Sequence, residues 1–255
     1  GWAMSALLQV QDLELKVAGR SLVKGLSFTV QPGERWCVIG RNAVGKSTLL
    51  RTLAGLGTGA HAASPAVTTP MHGSAGLRRA YLPQSSQDRF DLTVRELIAL
   101  QPEMALDAVA LHTRCAALGQ ALDIAPLLER PITQLSGGER QRVGLAAVAA
   151  QDAPLWLLDE PVSFQDPAHQ RLVARWLHAQ AAPSLTGTAN PKPSPGIVMS
   201  AHDIGWVQSV ATHIIAAYDH ATWTTGSIDA VLTAQVLRDT FACDWQQVGG
   251  VWMAK

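Results

Sequence analysis

The sequence predicts a wound α/β fold, in which buried strands alternate with helices. The apolar run from Trp36 to Ile39 ends at Gly40, and the residues from Lys46 to Leu53 follow a helical pattern. Strand-like apolar runs return later, separated by helical stretches, at residues 155–158, 197–199 and 214–217. Repeated strand and helix units of this kind are typical of a sheet covered by helices on both faces.

The N-terminal part has a different pattern, in which apolar and other residues alternate. Two such runs precede the turn-forming Gln31-Pro32-Gly33, and their apolar positions are Leu13, Leu15 and Val17, then Leu26, Phe28 and Val30. Alternation with a period of two indicates half-buried strands. We therefore expect an antiparallel β region ahead of the α/β core.

Three further segments interrupt the core pattern. Residues 93–134 have helical periodicity and predict a helical insert. Residues 56–76 are rich in Gly, Ala, Thr and Pro and predict loops with short strands. Residues 181–196 contain four prolines together with Ser, Thr, Gly and Asn, a composition that predicts a flexible inserted loop.

Composition excludes several classes of protein. Lys+Arg and Asp+Glu both number 20, so no excess of positive charge favours nucleic acid, and we expect no nucleic-acid partner. The three cysteines, Cys37, Cys115 and Cys243, are widely spaced, which argues against a disulfide framework or a zinc site. No apolar stretch approaches the roughly 20 residues that span a bilayer. We expect a soluble, cytoplasmic chain.

The segment Gly40-Arg41-Asn42-Ala43-Val44-Gly45-Lys46-Ser47 matches the pattern GxxxxGK[ST] between a predicted strand and a predicted helix. In this context backbone N–H groups surround phosphates, the Lys46 ammonium neutralises β and γ oxygens, and the Ser47 hydroxyl binds Mg²⁺. The sequence therefore predicts a site for a nucleoside triphosphate. Its candidate residues are Gly40, Asn42, Ala43, Val44, Gly45, Lys46, Ser47 and Thr48.

Two adjacent carboxylates, Asp159 and Glu160, follow the apolar run at residues 155–158. Alone, they would indicate no more than a core strand that ends in solvated acids. Together with the phosphate loop they predict catalysis: Asp159 holds Mg²⁺, and Glu160 orients and deprotonates the attacking water.

The stretch Leu135-Ser136-Gly137-Gly138-Glu139-Arg140-Gln141-Arg142 closely resembles the signature motif LSGGExQR of the ABC ATPases. In that family, Ser136, Gly137 and Gly138 would contact the γ-phosphate of ATP bound to the opposite subunit. The resemblance covers nearly the whole chain. It implies a P-loop NTPase (RecA-like) α/β core with an antiparallel β subdomain and an inserted α-helical subdomain.

Three further family elements occur in the expected order. Gln84, in Tyr81-Leu82-Pro83-Gln84, resembles the glutamine that contacts Mg²⁺ and water. Asp166 resembles the aspartate of the loop that crosses the dimer interface. His202, in Met199-Ser200-Ala201-His202-Asp203, resembles the histidine that contacts the γ-phosphate and helps to position Glu160.

The chain departs from the family pattern at four places. Ala43 stands where glycine is common, and alanine tolerates positive φ poorly. Residues 17–20 contain none of the aromatic side chains that stack on adenine in many relatives, so base contacts are weak or come from elsewhere. Gln165 replaces an apolar residue before Asp166. The 181–196 segment lengthens the connection to His202.

The resemblance implies an ATP-hydrolysing subunit of an ABC transporter that forms a homodimer around two ATP molecules with Mg²⁺. Residues 226–244 resemble the tails of cobalamin, ferric siderophore and haem importers. Such a subunit attaches to the inner face of the cell membrane through a transmembrane permease, which an extracytoplasmic substrate-binding protein serves. Two alternatives stay open: a soluble ABC-type ATPase acting on a cytoplasmic partner, and a nucleotide-binding regulator without efficient turnover.

Domain divisions and a coupling surface follow from the same resemblance. We expect residues 4–84 and 135–234 to form the ATP-binding core, the first part carrying the antiparallel β subdomain. Residues 85–134 would form the helical subdomain and residues 235–255 a C-terminal tail. The surface that receives the permease is expected on the helical insert, formed by some of Leu92, Val94, Leu97 and Ile98; the alternative is that all four are buried core.

Overall fold

The computed structural model describes residues 6–17, 19–56, 67–68, 78–84, 91–101, 106–183, 194–219 and 221–255. The helices there are α1 (Lys46–Leu53), α2 (Val94–Ala99), α3 (Ala108–Ala121), α4 (Gly137–Ala150), α5 (Pro167–Ala181), α6 (Ile204–Val210), α7 (Ile228–Val231) and α8 (Ala234–Phe241), with 3₁₀ turns at Ala125–Leu127 and Ile132–Gln134. The strands are β1 (Leu8–Val17), β2 (Arg20–Val30), β3 (Arg35–Gly40), β4 (Val67–Thr68), β5 (Arg79–Leu82), β6 (Leu155–Leu158), β7 (Gly196–Ser200), β8 (His213–Ala217), β9 (Trp223–Ser227), β10 (Trp245–Val248) and β11 (Val251–Ala254).

The main sheet has the strand order β5-β6-β7-β3-β8-β9 among the described residues. Neighbouring strands are parallel except for β8 and β9, which are antiparallel. Every residue of β6 and β7 is buried, as in sheets covered on both faces, which explains their uninterrupted apolar runs. The carboxyl ends of β3, β6 and β7 lie at one edge, so the residues after these strands meet there. The predicted α/β fold is confirmed.

The two faces of this sheet contribute to two apolar clusters. Cys37 and Ile39 of β3 pack in the cluster that contains the buried side of α4, α5 and α6. Trp36 and Val38 point the opposite way and pack with α1, β1 and β2. This division follows from the alternation of side chains along a strand.

The predicted antiparallel region is also confirmed. Strands β1 and β2 pair antiparallel from Leu8 opposite Val30 to Val17 opposite Arg20, and β4 pairs with the other edge of β1. Their apolar face packs on α1 within the second cluster. This packing holds the antiparallel sheet beside the phosphate loop.

The predicted helical insert contains α2, α3 and the two 3₁₀ turns. Thr93 and Glu96 form a capping box at the start of α2, and the Asp107 side chain caps α3. Val94 and Ile98 are fully buried in the core, so including them in the expected permease surface was wrong. They lie one helical turn apart and therefore share the inward face of α2. Leu92 and Leu97 are only partly buried and remain candidates.

The two predicted loop segments fall largely outside the described residues. Within 56–76, the structure describes Leu56 and the short strand β4. Within 181–196, Ala181 is the last residue of α5 and Gly196 the first of β7, so both bounds of the expected loop were drawn too wide. Residues 184–193 lie outside the description. The divisions at 84/85, 134/135 and 234/235 stay predictions.

The C-terminal tail packs back on the core. Helix α8 buries Leu237 and Thr240, and the β10–β11 hairpin lies against α6, where the Trp252 N–H donates to the Gln208 side chain (2.8 Å). In the part of the chain that the structure describes, we find no helix with the length and apolarity needed to span a bilayer.

Candidate active site

The phosphate loop connects β3 to α1 as the motif requires. Gly45 occupies the N-cap of α1 with φ 114°, and no side chain caps this helix, which leaves its first N–H groups open to an anion. The Lys46 ammonium donates to the carbonyl oxygens of Gly40 (2.8 Å) and Arg41 (3.1 Å) and is nearly buried. Burial lowers the pKa of Lys46, and the negative charges of Glu160 and Asp159 oppose that shift.

Ala43 takes a left-handed backbone conformation within this loop, with φ 62°. Such a conformation costs an L-residue roughly 1–2 kcal/mol relative to the right-handed region. The loop therefore needs a positive φ at Ala43, which alanine adopts with strain and glycine would adopt without it.

The two carboxylates follow β6 and are held by Ser200 at the end of the neighbouring strand β7. The Ser200 hydroxyl donates to Asp159 Oδ1 (2.6 Å) and accepts from the Glu160 backbone N–H (2.9 Å). Both Ser200 and Asp159 are buried. The sequence analysis gave Ser200 no role. Ser200 ends β7, the strand beside β6, and the acids follow β6. Only the strand order shows that these positions are neighbours.

Three side chains converge on one oxygen of Glu160. Its Oε2 accepts from Gln84 Nε2 (3.1 Å) and from the Ser163 hydroxyl (2.7 Å), and it lies 3.8 Å from His202 Nδ1. The backbone carbonyl of Glu160 accepts from Gln141 Nε2 (2.8 Å). Of the residues predicted for catalysis, the structure therefore brings Gln84, Glu160 and His202 together.

These groups line a cleft of about 880 Å³ beside the phosphate loop. Its lining residues are Leu22, Gly40, Arg41, Asn42, Ala43, Gly45, Lys46, Ser47, Thr48, Gln84, Glu160, His202 and Phe241. The volume is in the range of small-molecule sites and suits a nucleoside triphosphate. Val44 and Asp159 lie outside this lining among the described residues: both are buried, at 5% and 2% exposure.

The signature residues lie outside the cleft of their own chain. Ser136 caps α4, since its hydroxyl accepts from the Glu139 N–H (3.3 Å) while the Glu139 carboxylate accepts from the Ser136 N–H (2.8 Å). A Cβ on Gly138 would lie 2.8 Å from the Phe164 carbonyl oxygen, so only glycine fits there. Asp166 likewise caps its own helix, α5, by accepting from the Ala168 and His169 N–H groups.

Comparison with known proteins identifies the arrangement. The family model described as ABC transporter matches residues 23–163, more than half of the chain. The chain belongs to the ABC transporter family. Its fold matches a putative metal-chelate type ABC transporter in the inward-facing conformation (TM-score 0.77, 22% identity, 98% of this chain and 96% of the other) and an ATP-binding subunit of an ABC transporter (TM-score 0.72, 23% identity, 88% and 91%).

Sequence relatives of this ABC protein are import subunits. It is 32% identical over 259 residues to a hemin import ATP-binding protein of Roseobacter denitrificans, covering 92% of this chain and 90% of the relative. It is 31% identical over 235 residues to a vitamin B12 import ATP-binding protein of Vibrio cholerae, covering 88% and 90%. The predicted resemblance to ABC ATPases of such importers is confirmed, and with it the prediction that the protein is an ATPase.

The turn between β1 and β2, where the sequence lacks an aromatic residue, does not line the cleft among the described residues. Val17 and Arg20 end β1 and begin β2, and Ala18 lies outside the described residues. The apolar groups that line the cleft are instead Leu22, whose carbonyl accepts from Trp223 Nε1 (3.0 Å), and Phe241 of α8. Neither residue was predicted. Leu22 belongs to no motif, and only the folded chain brings Phe241 of α8 back to the cleft.

Gln165, in the loop before α5, is another departure from the family pattern. Gln165 donates from Nε2 to the Pro161 carbonyl (3.2 Å), while its Oε1 is buried and, among the described residues, has no hydrogen-bond partner. A buried acceptor without a donor is unfavourable by about 1–3 kcal/mol. An apolar residue would avoid this cost, so the glutamine weakens the loop locally.

Proposed function

We propose that this ATPase powers the import of haem, cobalamin or a ferric siderophore through a separate transmembrane permease. The hemin and vitamin B12 import relatives, which match almost end to end, support haem and cobalamin in this substrate class. The proposal includes attachment to the inner face of the cell membrane through the permease and delivery of substrate by an extracytoplasmic binding protein.

One observation carries the catalytic part of the proposal. Gln84 and His202 approach the same Glu160 oxygen in a cleft that Lys46 and Ser47 also line. The cleft thus presents an acceptor for a water proton opposite donors for phosphate oxygens. That combination suits in-line hydrolysis of a γ-phosphate.

In this mechanism Glu160 orients the attacking water and accepts its proton, while the His202 imidazole lies within reach of the γ-phosphate. Lys46 leaves the Gly40 and Arg41 carbonyls and neutralises the phosphate oxygens. Bound Mg²⁺ would reduce the negative charge between the β- and γ-phosphates. Association of two subunits around ATP would bury these groups. Their burial would exclude bulk water and strengthen each electrostatic contact.

The oxygens near the phosphate loop fit Mg²⁺. Asp159 supplies a buried carboxylate, Ser47 a hydroxyl and Gln84 an amide oxygen, since its Nε2 is already used on Glu160. Mg²⁺ prefers oxygen ligands and commonly takes one or two carboxylates together with phosphate and water. We therefore assign the ion to Ser47, Asp159 and Gln84.

We further infer a homodimer around two ATP molecules. Ser136, Gly137, Gly138 and Asp166 lie away from the cleft of their own chain, yet Ser136 caps a 14-residue helix whose N-terminus favours an anion. The Ser136 hydroxyl hydrogen is not used by the cap and can donate to phosphate. A head-to-tail pair would supply these donors to the partner's cleft.

Uptake in cells tests the import proposal. We expect deletion of the gene to abolish uptake of one labelled substrate among haem, cobalamin and ferric siderophore, and expect the wild-type gene but not Glu160→Gln to restore it. Unchanged uptake of all three would reject the importer and favour a soluble ATPase with a cytoplasmic partner. Purified protein without measurable turnover would favour the nucleotide-binding regulator instead.

A further inference from the structure

His169 joins two parts of the chain that are distant in sequence. It lies in the first turn of α5, and its Nδ1 is 2.8 Å from Asp166 Oδ2. Its Nε2 is 3.2 Å from an oxygen of Asp123, in the turn after α3 of the helical insert. One imidazole thus bridges the helical insert and the loop that follows the catalytic carboxylates.

Both ring nitrogens of His169 take part in this bridge, one toward each carboxylate. Hydrogen bonds from the His169 backbone and side chain hold the pKa of Asp166 below its usual value. The side chain of His169 is 27% exposed, so the bridge is only partly open to solvent.

The loop between Glu160 and Asp166 transmits position because it is compact. The Ser163 N–H donates to the Glu160 carbonyl (3.1 Å), and the Ser163 hydroxyl donates to the Glu160 carboxylate. Gln165 closes the middle of the loop on Pro161, and both Glu160 and Phe164 have positive φ. A shift at Asp166 is therefore transmitted to Glu160 through a loop braced by the hydrogen bonds of Ser163 and Gln165.

We propose that His169 is a positioning residue for ATP hydrolysis, which ties residues 161–166 to Asp123 and so makes the orientation of Glu160 depend on the position of the helical insert. His169 is absent from the cleft lining among the described residues, so it acts through the loop. In the described ranges, no group of His, Cys, Asp and Glu side chains is suited to bind a metal ion, so the contacts of His169 are not those of a metal site. The proposal rests on the role proposed for Glu160.

A double-mutant cycle on the full chain tests this link. The variants are His169→Gln, Asp123→Asn and their combination, and the matched control is His112→Gln, an exposed histidine of α3. We expect each single variant to lower kcat about threefold, as suits a partly exposed ionic contact. The combination should lower it no further, because either change alone breaks the bridge. KM for ATP should stay within about twofold and Tm within about 2 °C of wild type.

The Arg variant separates positioning from simple packing. His169→Arg keeps donors toward both carboxylates and should restore kcat to within about twofold of wild type. Additive effects in the cycle, an unaffected Asp123→Asn enzyme, or a His169→Gln enzyme that loses Tm and is not rescued by arginine would each overturn the inference. Glu160→Gln is assayed in parallel: if that variant turns over normally, the role proposed for Glu160 is itself wrong.

Discussion

Replacement of Ser200 by alanine is the sharpest test of the geometry at the carboxylates. One hydroxyl donates to Asp159 and accepts from the Glu160 N–H, and the side chain is completely buried. The Ser200→Ala change removes a single oxygen without altering the backbone or the charge. The variant therefore tests whether the positions of Asp159 and Glu160 depend on the Ser200 hydroxyl.

The magnitude follows from the two lost hydrogen bonds. Removing a donor from a buried charged group costs about 1.5–3 kcal/mol, and a buried N–H without an acceptor adds about 1 kcal/mol or more. Partial rescue by water lowers the sum, so we expect the free energy of unfolding to fall by about 3 kcal/mol. At roughly 2–4 °C per kcal/mol for a large domain, Tm falls by about 6–12 °C.

Activity should respond more than ATP binding. Without the Ser200 contact the Glu160 backbone can move, so kcat should fall at least about tenfold, the effect of a small displacement of a catalytic group. Ser209→Ala is the control, because it also removes a hydrogen-bonding hydroxyl, one that donates to the Trp206 carbonyl and not to either acid. Calorimetry and steady-state ATPase assays measure both quantities. A Ser200→Ala enzyme that melts and turns over like the Ser209→Ala enzyme would refute the reasoning.

Four other predictions concern different parts of the chain. Glu160→Gln should lower kcat at least about 100-fold and accumulate an ATP-bound dimer on size-exclusion chromatography, since the amide keeps the size but loses the base; full turnover would remove Glu160 from this role. Ile98→Ala should cost about 2–5 kcal/mol of unfolding free energy by denaturant titration, because the side chain is fully buried. Leu97→Glu should keep basal ATPase activity but lose co-purification with the permease, and normal co-purification would reject α2 as the coupling surface. Iodoacetamide at pH 8 should label Cys243 in the native protein and spare the buried Cys37, whose thiol pKa is raised by burial; mass spectrometry showing the reverse would contradict the described packing.

Local sequence determined the phosphate loop and the helix after it. Strand, loop and helix are consecutive there, and the observed α1 begins and ends at the predicted residues, Lys46 and Leu53. The acids after β6 were predictable for the same reason, since a short apolar run and the polar residues behind it need no distant information. The signature segment likewise contains its own cap, Ser136 with Glu139.

The helical insert marks the limit of such reasoning. Periodicity identified Leu92, Val94, Leu97 and Ile98 as apolar but could not say which of them face the core. Helix α2 packs on α3 and α4, and this packing buries Val94 and Ile98 while it leaves Leu97 partly exposed. Burial depends on which elements pack against a helix. The spacing of apolar residues along that helix does not give this information.

By itself, then, the sequence determined the family, the α/β fold, the phosphate loop with the helix after it and the two acids after β6, because each of these depends on contiguous segments. Only the tertiary structure decided that Ser200 supports both acids, that Phe241 of α8 lines the nucleotide cleft, and that His169 bridges to Asp123. Each of these contacts joins residues about 40 or more positions apart. Strand order and helix packing bring such residues together, and neither is written in the spacing of a single segment.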